Sequence, residues 1–356
     1  MIINVSGYGA TGASAVIALI MECKDIKSYN YGTEFQVLQE PDGILDLQHY
    51  IVEDQRRLSS NFAIQRFKNN IKKFGGRDLQ KETSPFFKNI SKDYIESLIS
   101  VEWMGKSGFD TADVSGFLYR DCFKCVNKIV SYIGRKINPL FIWPPCYKKY
   151  YSYMNNEQFI GLTKKYLEHI LKLSGFDLLD MILLEQVFPP NDPTRGMEFF
   201  SDCISIVVDR DPRDLYILTN HLMRHKSLFM PCNGDIDGFI KYYKGLHQRI
   251  ETDHRVKYVQ YEDFVYDYEN SKQNLLDWIG ITMEKERTLF IPEDSINNTF
   301  LFPNYPELSD EIHKIESELS QYLYPFEEKG KGKTINRDIS KAFIIKPGDI
   351  ITNKRK

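Results

Sequence analysis

Met1-Ile2-Ile3-Asn4-Val5-Ser6-Gly7-Tyr8-Gly9-Ala10-Thr11-Gly12-Ala13-Ser14 carries an apolar strand straight into a glycine-rich turn and out into a helix-forming stretch. A turn of this kind can hold an anion, because the first N–H groups of a helix have no carbonyl of their own helix to bond and point together at one place. Gly7, Gly9 and Gly12 spell the GxGxxG of a dinucleotide site, and the same letters also read as a loop that cradles a phosphate or phosphosulfate. What lies beside the loop in the fold decides between the two.

Working outward, Ile2 to Val5 reads as a short buried strand and Ser14 to Glu22 as a helix buried on most sides. Glu34 to Leu38 reads as a second strand, followed by the Pro41-Asp42-Gly43 turn and a short helix from Leu45 to Ile51. From about 55 to 175 the pattern is helical, most clearly over Asn156 to Leu173, where Phe159, Leu162, Tyr166, Ile170 and Leu173 recur at helical spacing. Strand signals return at Met181 to Leu184, Cys203 to Val208 and Val256 to Tyr261, each next to a helical stretch. Near-continuous β-branched runs separated by helices predict a parallel sheet covered on both faces. A last helix over Ser309 to Tyr324 places Ile312, Ile315, Leu319, Tyr322 and Leu323 on one side.

The 356 residues, 42% of them hydrophobic, suffice for one elaborated α/β domain. A formal charge of −3 provides no global basic field, which argues against a nucleic-acid partner held by phosphate neutralisation. Six scattered cysteines do not make a disulfide framework and point to a reducing compartment, the cytoplasm. The apolar start has no basic flank and is cut short by Gly7, so no signal peptide is expected, and no run of eighteen apolar residues predicts a membrane span.

A second charged signal stands at Val207-Val208-Asp209-Arg210-Asp211-Pro212-Arg213-Asp214, where a buried strand ends in a turn that opens a helix, with Asp211 at the N-cap and Pro212 in the first turn. Ligands of α/β sheets bind beyond the carboxyl ends of strands, so Arg210 stands where a guanidinium can grip an anion bidentately. The same turn also reads as an Arg–Asp ion-pair cluster capping the helix.

Taken together, these segments resemble the sulfotransferases that use 3′-phosphoadenosine 5′-phosphosulfate (PAPS), in particular their bacterial carbohydrate-type branch. Ser6 to Ser14 resembles the family's 5′-phosphosulfate loop, and Val208 to Asp214 its 3′-phosphate segment. Tyr261-Glu262-Asp263-Phe264 with Leu275 to Ile281 is similar to the family's strand, YEDL and following helix. The resemblance covers about 1–50 and 180–325 and is thin in the helical middle. It implies a P-loop-NTPase-like three-layer fold with a central parallel sheet and a large helical insertion. The PAPS-binding core would comprise 1–52 and 178–325, the acceptor-side insertion about 55–175, the whole forming one domain over 1–325 with a tail from 326 to 356.

The implied activity is transfer of a sulfuryl group from PAPS to a hydroxyl of a small-molecule or glycan acceptor, a carbohydrate in the first instance, without a metal. Charge spread over a sulfuryl group in flight is met by preorganised donors. The resemblance assigns the 5′-phosphosulfate to Gly7, Gly9, Ala10, Thr11, Gly12, Ala13 and Ser14, with the hydroxyls of Thr11 and Ser14 taking part, and the 3′-phosphate to Arg210. Thr219 or Asn220 stands in for the family serine, whose own place is taken by Leu218. The Lys or Arg that many family members carry two positions before the last loop glycine is here Ala10, so the cation must come from elsewhere: Lys106, Arg120, Arg56 or Arg57. Glu34 matches the position of a family glutamate and is the candidate base, with Glu40 and His49 as runners-up.

Asn297 and Asn298 read either as a loop over the nucleotide or as a turn with side-chain caps. Cys122 and Cys125 form a lone CxxC, and His221 and His225 lack the HExxH context, so neither predicts a metal. The tyrosines at 147, 150, 151 and 153 read as sugar-stacking or as packing groups. Two other functions remain open: a Rossmann-type NAD(P)-binding oxidoreductase, which leaves the Arg210 and Tyr261 segments unexplained, and a sulfotransferase-like nucleotide-binding protein that lacks catalysis, for which Ala10 is the argument.

Overall fold

The computed structural model describes residues 1–28, 34–35, 37–56, 58–77, 84–105, 125, 128–134, 147–222, 231, 235–249, 251–283 and 289–329. Five strands, β1 (Ile2–Gly7), β2 (Ile26–Ser28), β5 (Met181–Glu185), β6 (Cys203–Asp209) and β7 (Val256–Gln260), make one all-parallel sheet in the order β2-β5-β1-β6-β7. Two more, β3 (Val101–Gly105) and β4 (Tyr147–Tyr151), form a separate antiparallel pair.

Alternation along the strands sorts the core into layers. Ile2, Ile182, Leu184 and Cys203 pack under the helices Ile44–Gln48, Ser59–Arg77, Ser84–Leu98 and Asn156–Leu173. Ile3, Val5, Leu183, Ile206 and Val208 face the other way, beneath the helices Ala13–Met21, Tyr261–Tyr266 and Tyr268–Ile279. A third cluster joins Val207 to the helices Pro212–Ile217, Ile236–Leu246 and Ser309–Glu318. The architecture is thus the expected α/β, three-layer arrangement around a central parallel sheet. Asn4 is buried within it and fully used: its amide donates to Ser205 Oγ at 2.8 Å and its carbonyl accepts from Val187 N at 2.8 Å, tying β1 to both neighbours.

Numbered by appearance, the five sheet strands run 2-3-1-4-5. A Rossmann sheet runs 3-2-1-4-5-6, with the second strand directly beside the first. Here β5 lies between them, so the sheet is not the one that the oxidoreductase reading of Gly7 to Gly12 requires.

Three local expectations change. The second strand is Ile26–Ser28, and Val37 and Leu38 sit in a turn. Their apolar side chains are buried all the same, because their carbonyls accept from Ile44 N and Leu45 N (both 3.1 Å) and seed the next helix instead of a ladder. The helical stretch also contains the antiparallel β3–β4 pair, whose mixed faces show no clean alternation. The helix Asn156–Leu173 has the expected bounds, fixed by a capping box between Asn155 and Gln158. The helix Ser309–Glu318 ends earlier than its periodicity suggests, passing into a 3-10 turn at Ser320–Tyr322. Among the described residues no helix is long and apolar enough to cross a membrane.

Candidate functional site

At the carboxyl end of β1 the chain turns through Tyr8–Gly12 into the helix Ala13–Met21. Thr11 closes this turn onto the neighbouring strand, its hydroxyl donating to Val208 O at 2.7 Å. Gly7 has to be bare, since a Cβ there would lie 2.3 Å from Thr11 Oγ1. Gly9 (φ 94°), Ala10 (φ 57°) and Gly12 (φ 93°) all take left-handed backbone. For Ala10 this costs about 1–2 kcal/mol, strain of the kind found where a loop is shaped for a ligand. Gly12 caps the helix without any side-chain hydrogen bond, and the first turn holds no acidic residue. The helix start therefore keeps its positive end, with the exposed Ser14 hydroxyl beside it, while Ala15 N donates to Gly12 O at 3.0 Å.

Arg210, at the end of β6, is directed at this loop. Its guanidinium is 1% exposed, lies 5.2 Å from the centre of the Tyr261 ring, reaches Ala10 O at 3.5 Å and donates to Asn298 O. Asp211, Arg213 and Asp214 do a different job. Asp211 caps the helix through Arg213 N (2.8 Å), pairs with Arg213 Nη2 (2.7 Å) and accepts from Tyr324 N (2.8 Å). Asp214 accepts from Phe300 N at 2.5 Å and Leu301 N at 2.7 Å. Burial, then the nearby charge of Asp211, pushes Asp214 up to about 7. The ion-pair and helix-cap reading of the charged turn thus holds for Asp211, Arg213 and Asp214. Thr219 is buried and its hydroxyl bonds back to its own helix at Leu215 O (2.9 Å), as Asn220 does to Tyr216 O (2.9 Å).

The third sequence segment completes the cluster. The Tyr261 ring packs on Gly12 and hydrogen-bonds Ser295 and Asn298. Glu262 is wholly buried, accepting from Asp211 N at 3.0 Å, and burial raises its carboxyl well above the usual range. Asp263 holds Tyr324 Oη at 2.9 Å and Lys329 Nζ at 2.6 Å. The loop, the Arg210 turn and the Tyr261 segment, distant from the loop in sequence, meet around Gly12.

Sequence reasoning stopped the third sheet strand at Leu184 and missed the residue after it. Glu185 ends β5 in register with Val5, half-buried, and its carbonyl accepts from Phe35 N at 2.8 Å, which brings Glu34 alongside. Burial, then the Glu34 charge, raises Glu185 to about 7. Gln186 follows with left-handed backbone (φ 56°), and its amide donates to Gly7 O at 3.1 Å. An acid directly after an all-apolar buried run was the available signal. Also missed was His247, stacked between Tyr8 (4.1 Å) and Tyr243 (4.0 Å) with Nε2 3.0 Å from Asp209 Oδ2, which pins Tyr8 and hence the loop against β6.

One cleft touches the loop at Tyr8 and a second is formed by other segments. The first, of about 570 Å³, runs from Tyr8 and His247 to Lys257 and Gln260 on β7. The other, of about 420 Å³, lies between Gln39, Asp46, Asn191, Arg195 and Gln248. Of the other candidates, His49 pairs with Glu53 at 2.8 Å on the surface and Arg56 with Asp54. Tyr150 is buried, with Lys68 Nζ donating to its hydroxyl at 2.9 Å, whereas Tyr153 is exposed. Arg57, Lys106, Arg120, Cys122 and His225 lie outside the described residues. Among the described residues no three His, Cys, Asp or Glu side chains are grouped to hold a metal.

No protein-family model and no curated protein matches the chain. Among solved structures, a sulfotransferase domain from the curacin biosynthetic pathway is similar at 12% identity, over 90% of this chain and 98% of that chain, with a TM-score of 0.36.

Proposed function

We propose that the protein is a PAPS-dependent sulfotransferase acting on a hydroxyl of a carbohydrate acceptor. One observation carries this: Arg210, Tyr261 and the Gly9 to Ser14 loop converge on an uncapped helix start at the carboxyl edge of a parallel sheet. The backbone N–H groups of that start, with Ser14 Oγ, would hold the 5′-phosphosulfate. Thr11 contributes through its backbone, its hydroxyl proton being committed to Val208. Arg210 would serve the 3′-phosphate, turning outward from the Ala10 and Asn298 carbonyls. No metal is invoked, since fixed donors meet the charge on the transferring group. Glu34 stands at the same edge as candidate base. The Gln39 to Gln248 cleft, rich in carboxamides and mixed charges, offers donors and acceptors at many angles, as a polyhydroxylated acceptor needs.

A thermal-shift series tests the donor. Adenosine 3′,5′-bisphosphate should raise Tm while NAD and ATP leave it in place, because only a ligand of the native state stabilises it. Stabilisation by NAD and not by the bisphosphate would sink the proposal. Ala10 favours a second reading, nucleotide binding without transfer, which predicts the same thermal response and no sulfated product from a glycan panel.

A further inference from the structure

At the carboxyl edge of the sheet, beside the strand that feeds the anion loop, two glutamates lie on adjoining chain segments. Glu185 closes β5, the immediate neighbour of β1, and the Phe35 N–H bond to its carbonyl holds Glu34 next to it. Among the described residues the Glu185 carboxyl has no cationic or hydrogen-bonding partner recorded, and Glu34 is the charged group that acts on it. The next residue, Gln186, is held in left-handed backbone by Val5 O, to which its N–H donates at 3.0 Å, by Gly7 O, and by the Gln39 amide on its own carbonyl. A non-glycine residue costs about 1–3 kcal/mol in such a conformation and persists where surroundings over-determine it, which happens at reaction sites. Nothing in the packing of β5 demands an acid here: the three preceding residues, Ile182, Leu183 and Leu184, are apolar and buried.

We propose that Glu185 is the proton acceptor of the transfer reaction and that Glu34 is its positioning residue, the two carboxyls working as one proton-sharing pair. This rests on the sulfotransferase reading and alters one part of it, since Glu34 then acts through Glu185 and not on the acceptor. In the step itself the acceptor O–H bond breaks and its proton goes to Glu185. The oxygen forms a bond to sulfur, and the bond from sulfur to the 5′-phosphate oxygen breaks, its electron pair leaving with the bisphosphate. Two adjacent carboxylates resist double ionisation, which keeps the base near the working pH while one negative charge remains to receive the proton. The raised position of Glu185 agrees with this arrangement.

The pair and its role are tested separately. Carboxyl carbon NMR titration of the intact protein, with the Glu185 signal assigned by Glu185→Gln, should show a midpoint near neutrality that falls clearly in Glu34→Gln. A wild-type midpoint in the ordinary carboxylate range, or one indifferent to Glu34→Gln, overturns the pair. Release of 3′,5′-bisphosphate from PAPS, with cellobiose, maltose and N,N′-diacetylchitobiose as probe acceptors, should fall about 100-fold or more in Glu185→Gln, the scale of a lost general base. Bisphosphate-induced stabilisation should be unchanged in that variant. Glu34→Gln should move the rising limb of the pH profile to lower pH, as expected when a like charge is removed, and a limb that stays in place overturns its positioning role. Glu185→Gln retaining most of the rate, or wild-type protein that binds the bisphosphate yet releases none from PAPS, overturns the catalytic role. Failure of the bisphosphate to bind overturns the donor reading instead, and the NMR titration then decides the pair by itself.

Discussion

The ring of Tyr261 fills the space that any side chain at residue 12 would need: a Cβ on Gly12 would come within 2.4 Å of Tyr261 Cδ2. Gly12 also has φ 93°, so two penalties act on one substitution. Gly12→Ala should destabilise by about 2–4 kcal/mol, from left-handed strain plus displacement of a packed ring. Adding Tyr261→Ala should recover the clash and leave the strain, giving a double-mutant cycle that departs clearly from additivity in urea unfolding. Additive losses would mean that the ring yields freely.

Arg210 binds two carbonyls and covers an aromatic ring, a combination suited to a planar fork and not to an ammonium. Calorimetric titration of Arg210→Lys and Arg210→Ala should show the bisphosphate losing affinity by about tenfold or more while adenosine 5′-phosphate changes little, the scale of one charge-assisted contact. An unchanged ratio between the two ligands would remove Arg210 from the proposed 3′-phosphate site.

Asp214 and Glu262 are both wholly buried, but they are not equally replaceable. Asp214 uses both oxygens on the N–H groups of Phe300 and Leu301, so Asp214→Ala leaves two buried donors unmet and should cost about 2–5 kcal/mol. Glu262 uses one oxygen on Asp211 N, and burial already favours its uncharged form. Glu262→Gln keeps shape and acceptor and should stay within about 1 kcal/mol of wild type, whereas Glu262→Ala should lose several times that. Chemical denaturation of the three variants checks the order.

Glu185 links stability to pH. Its folded-state value, about 7, lies above the ordinary value of about 4.3 for an unfolded glutamate. Between these the folded chain binds more protons than the unfolded one, so this group's contribution is full below about pH 4.3 and is lost as pH rises through 7. The stability of wild type minus that of Glu185→Gln should therefore fall between pH 5 and 8. A difference that is flat or rises with pH would contradict the raised position. Asp214 is raised in the same sense, and taking the difference between the two proteins cancels its share.

Much of the sheet could be read in advance because β1, β5 and β6 are buried on both faces and spell near-continuous apolar runs. The Asp211 cap with Pro212 behind it was legible for a similar reason, since N-cap geometry is local. Ile26–Ser28 was not: three residues on a sheet edge have no period to detect, while Val37 and Leu38 are apolar because a turn buries them. Which members of Asp209 to Asp214 face the loop depends on contacts with residues 261–263, 298–301 and 324, and no spacing within the turn encodes these. Glu185 escaped notice because its meaning comes from Glu34, about 150 positions away in the chain.

The place of β1 in the sheet has a consequence for how the chain is made. Ile2 pairs with Ile182 on one side and Cys203 on the other, and nothing nearer in sequence pairs with it. At roughly 5–20 residues per second, a ribosome exposes this strand and its glycine loop for about 10–40 s before either neighbour exists. An apolar strand left single for that long is an aggregation risk, and its companions over that interval are the helix Ala13–Met21 and then the helical stretch. Holding β1 until β5 emerges is thus work for that stretch or for a chaperone, and slowing translation before residue 181 should lower the soluble yield more than slowing it after residue 260.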